Sequence, residues 1–438
     1  MRRLGLLGGL LLALTLGALS LHVPGARTIP VLETKNAFVA VLAVSAAVYL
    51  VAVASVQRRP AGRRAIWLVL LIAAALRLPV LVSTPFLSTD IFRYVWDGRV
   101  QVAGINPYRY IPAEPELAPL RDTAIFPHIN RAEWAPTIYP PAAQVIFAGI
   151  GFVWSSVTGI KAAMVGFEIL AVGCLLRLLA AAGLPRERVL IYAWNPLPVW
   201  AFAGNGHVDA AAVGLVAAAL LLRVRRWDGW AGVALGLAIA TKFLPAVVAP
   251  VLWRARAGWR TAATCIGTVI ALYAAYSSVG WLVFGDLGSY GPEEGYDSGA
   301  GFWLLAGISR LAALPDVAGT VYKGVAVVAL ASLGAWYAFV RRPNDPVSLC
   351  AAAGVMMAVA TCAISPHYPW YFAWLAVPCV LAPTPAVVWL SAAPIVMYLD
   401  TFGDRFVLPS VVYVPAILLA LSGLRRPGPV LRPIKGNT

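Results

Sequence analysis

The sequence predicts an all-α membrane protein, a polytopic bundle of transmembrane helices forming one domain over residues 1–438. Three observations carry that expectation. Only 12% of the 438 residues are charged and 61% are hydrophobic, with a mean hydropathy of +0.79. An ordinary soluble domain is about 25% charged, so this chain has too few polar side chains to cover a water-facing surface. The apolar residues gather in long runs, many close to the roughly 20 residues that a helix needs to cross a bilayer. Arginines and lysines cluster between those runs.

In chain order, twelve full spans are expected at 4–22, 37–56, 65–83, 161–183, 189–204, 207–222, 261–282, 319–340, 344–364, 370–383, 385–400 and 407–423. Met1-Arg2-Arg3 before the first run resembles the start of a signal peptide. No polar mature domain follows and no A-x-A cleavage site stands out, so the run is expected to stay as a span. Residues 229–253 are apolar but broken at Thr241-Lys242-Phe243-Leu244-Pro245, which predicts two half-spans meeting at a lysine. Residues 141–157 are apolar as well, and charge decides their role.

Seven basic clusters punctuate the chain: Arg2/Arg3, Arg58/Arg59/Arg63/Arg64, Arg186/Arg188, Arg223/Arg225/Arg226, Arg254/Arg256/Arg260, Arg341/Arg342 and Arg425/Arg426/Arg432/Lys435. Positive loops belong in the cytoplasm. If 141–157 crossed the membrane, every later cluster would lie outside. If it dips in and returns, as a re-entrant or surface helix, all seven share the cytoplasmic side, with Glu187, Asp228 and Asp345 as their only acids. Both termini are then cytoplasmic, and two large segments face outward, 84–160 and 283–318. Short outer turns lie near 205–206, 365–369 and 401–406.

The same sorting removes nucleic acid as a partner. A net charge of +15 would suggest it in a soluble protein. Here 20 of the 34 basic residues sit in clusters that orient the spans and meet anionic lipid headgroups. Cys174, Cys265, Cys350, Cys362 and Cys379 lie inside apolar runs without CxxC spacing, and read as small buried hydrophobes.

The chemistry concentrates where the third span ends, at Ser88-Thr89-Asp90-Ile91-Phe92-Arg93-Tyr94-Val95-Trp96-Asp97-Gly98-Arg99. Ser88 or Thr89 can cap a helix. On that helix Asp90, Arg93, Tyr94 and Asp97 share one face, while Ile91 and Val95 face elsewhere, as on a helix lying in the membrane interface. A purely structural version of this helix carries an internal Asp90–Arg93 pair. The functional version holds a carboxylate at the membrane boundary, partly desolvated, where it can act as a general base.

Gly104-Ile105-Asn106-Pro107-Tyr108 follows as a tight turn, then Pro127-His128-Ile129-Asn130 and Thr137-Ile138-Tyr139-Pro140-Pro141. Each alone suits a structural loop. Together they fill the outer segment with aromatic faces and polar tips, which suit a sugar's ring and hydroxyls. Asn205-Gly206-His207-Val208-Asp209 opens a span on the outside, Lys242 marks the break between half-spans, and Ser365-Pro366-His367-Tyr368-Pro369-Trp370 forms another outer turn. A cation at a broken helix is a reasonable phosphate seat. Arg77 and Arg177, inside spans, are expected to snorkel to the nearer surface, and His22 to be incidental. No H-x-E or HExxH spacing calls for a metal, and no Walker, GxSxG or soluble Rossmann motif is present.

With these residues laid out, the chain resembles polytopic glycosyltransferases of the GT-C type. It is similar to the bacterial polyprenyl-phosphate-mannose-dependent mannosyltransferases (GT87-like). The resemblance rests on Thr89-Asp90-Ile91-Phe92-Arg93-Tyr94, Asp97-Gly98-Arg99, Gly104-Ile105-Asn106-Pro107-Tyr108 and Tyr139-Pro140-Pro141. It continues in Asn195-Pro196, Gly206-His207-Val208-Asp209, Lys242-Phe243-Leu244-Pro245 and Pro369-Trp370-Tyr371. It implies inverting transfer of a hexose, mannose above all, from a polyprenyl-phosphate donor to a lipid or glycan acceptor on the non-cytoplasmic face of the cell (inner) membrane.

In that scheme Asp90 is the general base. Lys242, His207, His367 and Arg93 serve the donor phosphate, and Asp97, Tyr94, Arg99, Asn106, Tyr108, His128, Tyr139, Asp209 and Trp370 serve the sugar or acceptor. Many relatives carry two acids as D-x-D or an adjacent pair. Here Ile91 and Phe92 follow Asp90 and the second acid is Asp97, which disfavours a divalent metal, so no cofactor is expected. The competing expectation is a secondary transporter or flippase of a lipid-linked sugar. Transporters commonly show two related halves, and neither the Asp90 segment nor the Lys242 break recurs.

Overall fold

A computed structural model describes residues 1–21, 31–62, 64–401 and 403–424. His22, Arg63 and the basic cluster 425–435 lie outside the described residues. Every regular element among the described residues is helical.

Among the described residues, six helices are long and apolar enough to cross a membrane. They are α1 (Arg2–Ser20), α2 (Val31–Arg58), α3 (Ala65–Val82), α6 (Val157–Ala181), α10 (Ala318–Ala335, extended by a π turn to Arg341) and α11 (Pro346–Ile364). They coincide with six of the twelve expected spans. The run 261–282 becomes α9 (Gly258–Ala275), followed after a 113° bend by Ser277–Glu293.

The remaining runs are short or broken. Residues 207–222 form α7 (Asp209–Val224), and 407–423 form α12 (Val407–Leu424). Residues 189–204 break at Asn195-Pro196-Leu197-Pro198, 370–383 form a 3-10 segment (Pro369–Leu375) and a short helix (Ala376–Cys379), and 385–400 splits into Pro385–Leu390 and Ala393–Leu399. Proline removes a helical hydrogen bond and restricts its predecessor, so these apolar stretches do not run as single helices. They are core. Residues 190–203 are at most 1% exposed wherever they are hydrophobic. Hydropathy alone does not separate a lipid-facing run from one wrapped in protein.

The half-span expectation matches α8 (Asp228–Ile239), a break through Thr241 and Lys242, and a 3-10 turn (Leu244–Val248) leading into Ala249–Leu252.

Helix α4 (Asp90–Val102) packs against α5 (Pro141–Trp154). The two backbones nearly touch. A Cβ on Gly98 would sit 2.5 Å from the Phe147 carbonyl oxygen, and one on Gly151 would sit 2.9 Å from the Gly98 oxygen. Helix α4 is packed in protein on nearly every side: Ile91, Tyr94, Val95, Trp96 and Asp97 are all at most 2% exposed. At 14 residues α5 is about 21 Å long, short of the roughly 30 Å hydrocarbon layer. Its far end leaves Phe152, Val153 and Trp154 exposed.

Arg77 does not snorkel. It is 7% exposed and makes a two-pronged ion pair with Glu168 of α6, at 2.6 and 3.1 Å. Its other arm donates to the Ala193 carbonyl at 2.7 Å. The fixed fork of a guanidinium matches a carboxylate in two places, so this pair ties α3 and α6 to the buried broken segment.

The basic clusters meet one another. Ala61 N–H donates to Glu187 at 2.7 Å, Arg254 pairs with Asp228 at 2.9 Å, and Arg223 donates to the carbonyls of Leu252 and Pro343. Asp345 caps α11 through the amides of Val347 and Ser348. At the opposite end, 84–160 is bound to 276–293: Asn106 donates to Tyr276 and Ser278, Asp286 N–H to Thr137, and Arg131 pairs with Glu293.

Candidate functional site

Asp90 is the first residue of α4, where the unpaired amides of a helix start favour negative charge. The Ser88 hydroxyl accepts the Asp90 amide at 3.2 Å, while the Thr89 side chain makes no capping bond. The side-chain amide of Asn130, from the loop before α5, donates to Asp90 Oδ1 at 2.9 Å. The second oxygen, Oδ2, lies 3.7 Å from His207 Nδ1. That separation is too long for a hydrogen bond. The Asp90 side chain keeps 23% exposure, so one carboxylate edge stays reachable.

His207 arrives from the turn between the broken segment and α7. Gly206 has φ +67, a left-handed value that favours glycine, and a Cβ there would fall 2.4 Å from Ile91 of α4. The turn therefore sits tightly over the start of α4. His207 is fully buried, neither ring nitrogen has a hydrogen-bond partner, and its ring stacks on Trp370 at 3.9 Å. Trp370 belongs to the 3-10 segment Pro369–Leu375, and its neighbour Tyr371 carries the Lys242 ammonium over its ring at 3.9 Å. Lys242 also grips Asp209, in the first turn of α7, at 2.8 and 2.9 Å.

Five separate stretches thus converge: the start of α4, the 129–131 loop, the 205–209 turn, the Lys242 break and the 368–371 segment. Tyr94 and Tyr139 complete the wall, edge to face at 4.9 Å. Burial pushes the Asp90 carboxyl above its ordinary range, with the Lys242 charge and the Asn130 amide pulling it back down.

Other expected site residues hold the scaffold. Arg93 pairs with Asp97 at 2.9 Å, correcting the Asp90–Arg93 pair, and donates to the Ala135 carbonyl. Asp97 also accepts from Thr137 at 2.6 Å and Gln144 at 2.9 Å, a buried network that knits α4, the 135–140 loop and α5. Arg99 pairs with Asp122, Asn106 holds the end of α9, and Tyr108 donates to the Tyr139 carbonyl. His128 is exposed and rests against Phe92; two residues on, Asn130 is the one that reaches Asp90.

His367 belongs to a neighbouring cluster centred on Glu294, which is 4% exposed. Glu294 lies 3.2 Å from His367, accepts the Tyr368 hydroxyl at 3.1 Å and lies 3.7 Å from Arg405. Sequence reading placed Asn130 in the polar outer segment without a role and did not single out Glu294 or Arg405, since lone polar residues in loops carry no spacing signal. Among the described residues, no three His, Cys, Asp or Glu side chains gather as a metal-holding group.

A helical bundle with long apolar helices, and an acid, a lysine and stacked rings gathered at one end, defines a polytopic membrane protein with a polar site built from its loops. The chain belongs to the alpha-(1->6)-mannopyranosyltransferase family: the family model for that protein's N-terminal domain matches residues 2–258, more than half of the chain. The match takes in Asp90, Asn130, His207, Asp209 and Lys242, and stops before Glu294 and Trp370. Alpha-(1->6)-mannopyranosyltransferase A of Mycobacterium tuberculosis is 25% identical over 331 residues. The alignment takes in 68% of this chain and 61% of that relative, so the chain spans less than two thirds of its length. No solved structure matches.

Proposed function

We propose that the protein transfers mannose from a polyprenyl-phosphate donor to a hydroxyl of a lipid or glycan acceptor, on the non-cytoplasmic face of the cell membrane, with inversion. The observation that carries this reading is the meeting of a reachable, partly desolvated carboxylate, Asp90, with the Lys242 ammonium in one site. The family membership and the alpha-(1->6)-mannopyranosyltransferase relative point the same way.

In the proposed step, Asp90 takes the proton from the acceptor hydroxyl as that oxygen attacks the anomeric carbon. The bond from that carbon to the donor's phosphate oxygen breaks, and its electron pair leaves with polyprenyl phosphate. One displacement inverts the centre. A carboxyl raised by burial is a stronger base than a free aspartate. The departing phosphate gains charge, which a preplaced cation stabilises most where water is scarce; Lys242 is the cation whose field reaches both Asp90 and His207.

Asn130 holds the Asp90 carboxylate in place, and the buried His207 ring walls its other side. Trp370 is 6% exposed and engaged with the rings of His207 and Tyr368, so its part is to fix His207 rather than to stack on a sugar. Arg93, Asp97, Arg99, Asn106 and Tyr108 act at one remove, by holding the loops that carry Asn130 and Tyr139.

The test is an assay of the full chain with radiolabelled polyprenyl-phosphate mannose and a membrane lipid extract. Transfer into glycan product is expected, and Asp90→Asn should lower its rate by about 10²–10⁴-fold, the usual worth of a general base, with thermal unfolding unchanged. Full activity in that variant would remove the base assignment. Movement of an intact solute without glycan product would favour a transporter.

A further inference from the structure

At the arginine-rich end, away from Asp90, the helices leave an apolar cavity of about 400 Å³, within the roughly 300–1,000 Å³ of ligand pockets. Its walls come from α8, α9, α10 and the half-span after Lys242, and include Leu235, Pro250, Trp253, Cys265, Ile266 and Phe339. Small residues make the hollow: Gly258, Ala262, Gly334, Ala335 and Ala338 line it where larger side chains would fill it. Trp253 and Phe339 meet edge to face across it at 5.9 Å.

Two features beside the cavity say what fits. Arg256 and Arg260 follow Trp253 in sequence, and Arg341 and Arg342 follow Phe339 and line the neighbouring hollow at the start of α11; all four are exposed, and none makes an ion pair among the described residues. The nearby acids are committed elsewhere, Asp228 to Arg254 and Asp345 to the cap of α11. Around the same end Trp227, Trp230, Trp259 and Trp336 are exposed. Exposed tryptophans beside arginines mark a membrane–water boundary, so the cavity opens beside a cationic boundary region.

We propose that this cavity holds one acyl chain of an anionic phospholipid, whose phosphodiester rests on the guanidiniums of Arg256, Arg260, Arg341 and Arg342. Planar guanidiniums suit phosphate oxygens in pairs, and the apolar walls offer the chain nothing but packing. Pro250 and Ala249 in the cavity wall continue from the turn that follows Lys242, so the bound chain also braces the segment that presents that lysine at the other end.

The experiment is native mass spectrometry of the full chain taken from nanodiscs of equal phosphatidylglycerol and phosphatidylcholine. Phosphatidylglycerol should be retained in preference. Arg341→Gln with Arg342→Gln, beside the cavity, should lower that preference by about fivefold for each charge removed while one chain is still retained. Ala262→Trp, which fills the hollow, should release both lipids. Equal retention of the two lipids by the unaltered protein, or unchanged retention in the filled variant, overturns the proposal. Displacement of phosphatidylglycerol by an equal amount of polyprenyl phosphate would assign the cavity to a prenyl chain instead. None of these readouts involves sugar transfer, so they stand or fall separately from the proposed reaction.

Discussion

At the scale of single residues, the site turns on how Asp90 is charged. Burial raises its pKa, and Lys242 and Asn130 each favour the ionised form. The base must be ionised to work, so activity falls as pH drops through its pKa. Taking away the Lys242 charge removes a stabiliser of the carboxylate, so the pKa rises further and the acid limb of the pH–rate profile moves to higher pH. Lys242→Met is therefore expected to do two things: lower kcat through the lost phosphate contact, and shift the acid limb of kcat/KM upward. Asn130→Ala should shift the limb in the same direction while touching donor use less. An acid limb that stays put in Lys242→Met would mean that Asp90 and Lys242 do not share one site.

Asp90, His207, Asp209 and Lys242, which the structure brings together, stand out in the sequence because each breaks an apolar pattern at a span end. Asn130 was hidden because an asparagine in a polar loop breaks nothing; only the 2.9 Å contact to Asp90 singles it out. Arg93 and Asp97, expected to serve donor and acceptor, are paired with each other instead of facing Asp90. Their spacing of four puts them on one helical face, and the structure spends that adjacency on an ion pair.

At the scale of elements, the positions of α3 and α6 rest on a buried ion pair that hydropathy treats as two blemishes. Arg77 and Glu168 have side chains 9% and 2% exposed, and Tyr192 adds a long contact to Glu168 at 3.5 Å. Removing one member of such a pair strands the other charge, at a cost of about 3–5 kcal/mol. Removing both and filling the space with apolar side chains is close to neutral. Arg77→Met alone should lower the thermal unfolding temperature in detergent markedly, and Arg77→Met with Glu168→Leu should recover most of the loss. A double variant as unstable as the single would show that Arg77 matters through the Ala193 carbonyl instead. The broken segments teach the complementary lesson. Composition marked 189–204 and 370–383 as apolar, yet Pro196, Pro198, Pro369 and Pro378 forbid one continuous helix, and near-complete burial in protein supplies the apolar environment that lipid would otherwise provide.

At the scale of the whole molecule, contacts between distant loops say which loops share an end of the bundle. Ala61, before α3, touches Glu187, after α6. If α3 and α6 each cross the membrane, the chain leaves that end along α3 and returns to it along α6, as the re-entrant reading of 141–157 requires. Arg223 then joins the end of α7 to Leu252 and to Pro343, which places the 223–226, 254–260 and 341–342 clusters together. Segments 84–160 and 283–318 are bound to each other through Arg131 and Glu293, and 84–160 carries Asp90 and Asn130. If the clustered arginines face the cytoplasm, as positive loops do, every site residue faces outward. Replacing the five native cysteines and placing single cysteines at exposed positions tests this directly. In intact cells a membrane-impermeant maleimide should label Glu116→Cys and Asp297→Cys, while Arg225→Cys and Arg341→Cys should react only after permeabilisation. A reversed pattern would put the site in the cytoplasm, where a polyprenyl-phosphate donor used outside would never meet Asp90. A mixed pattern among the arginine positions would instead mean that the contacts joining those clusters do not hold in the membrane.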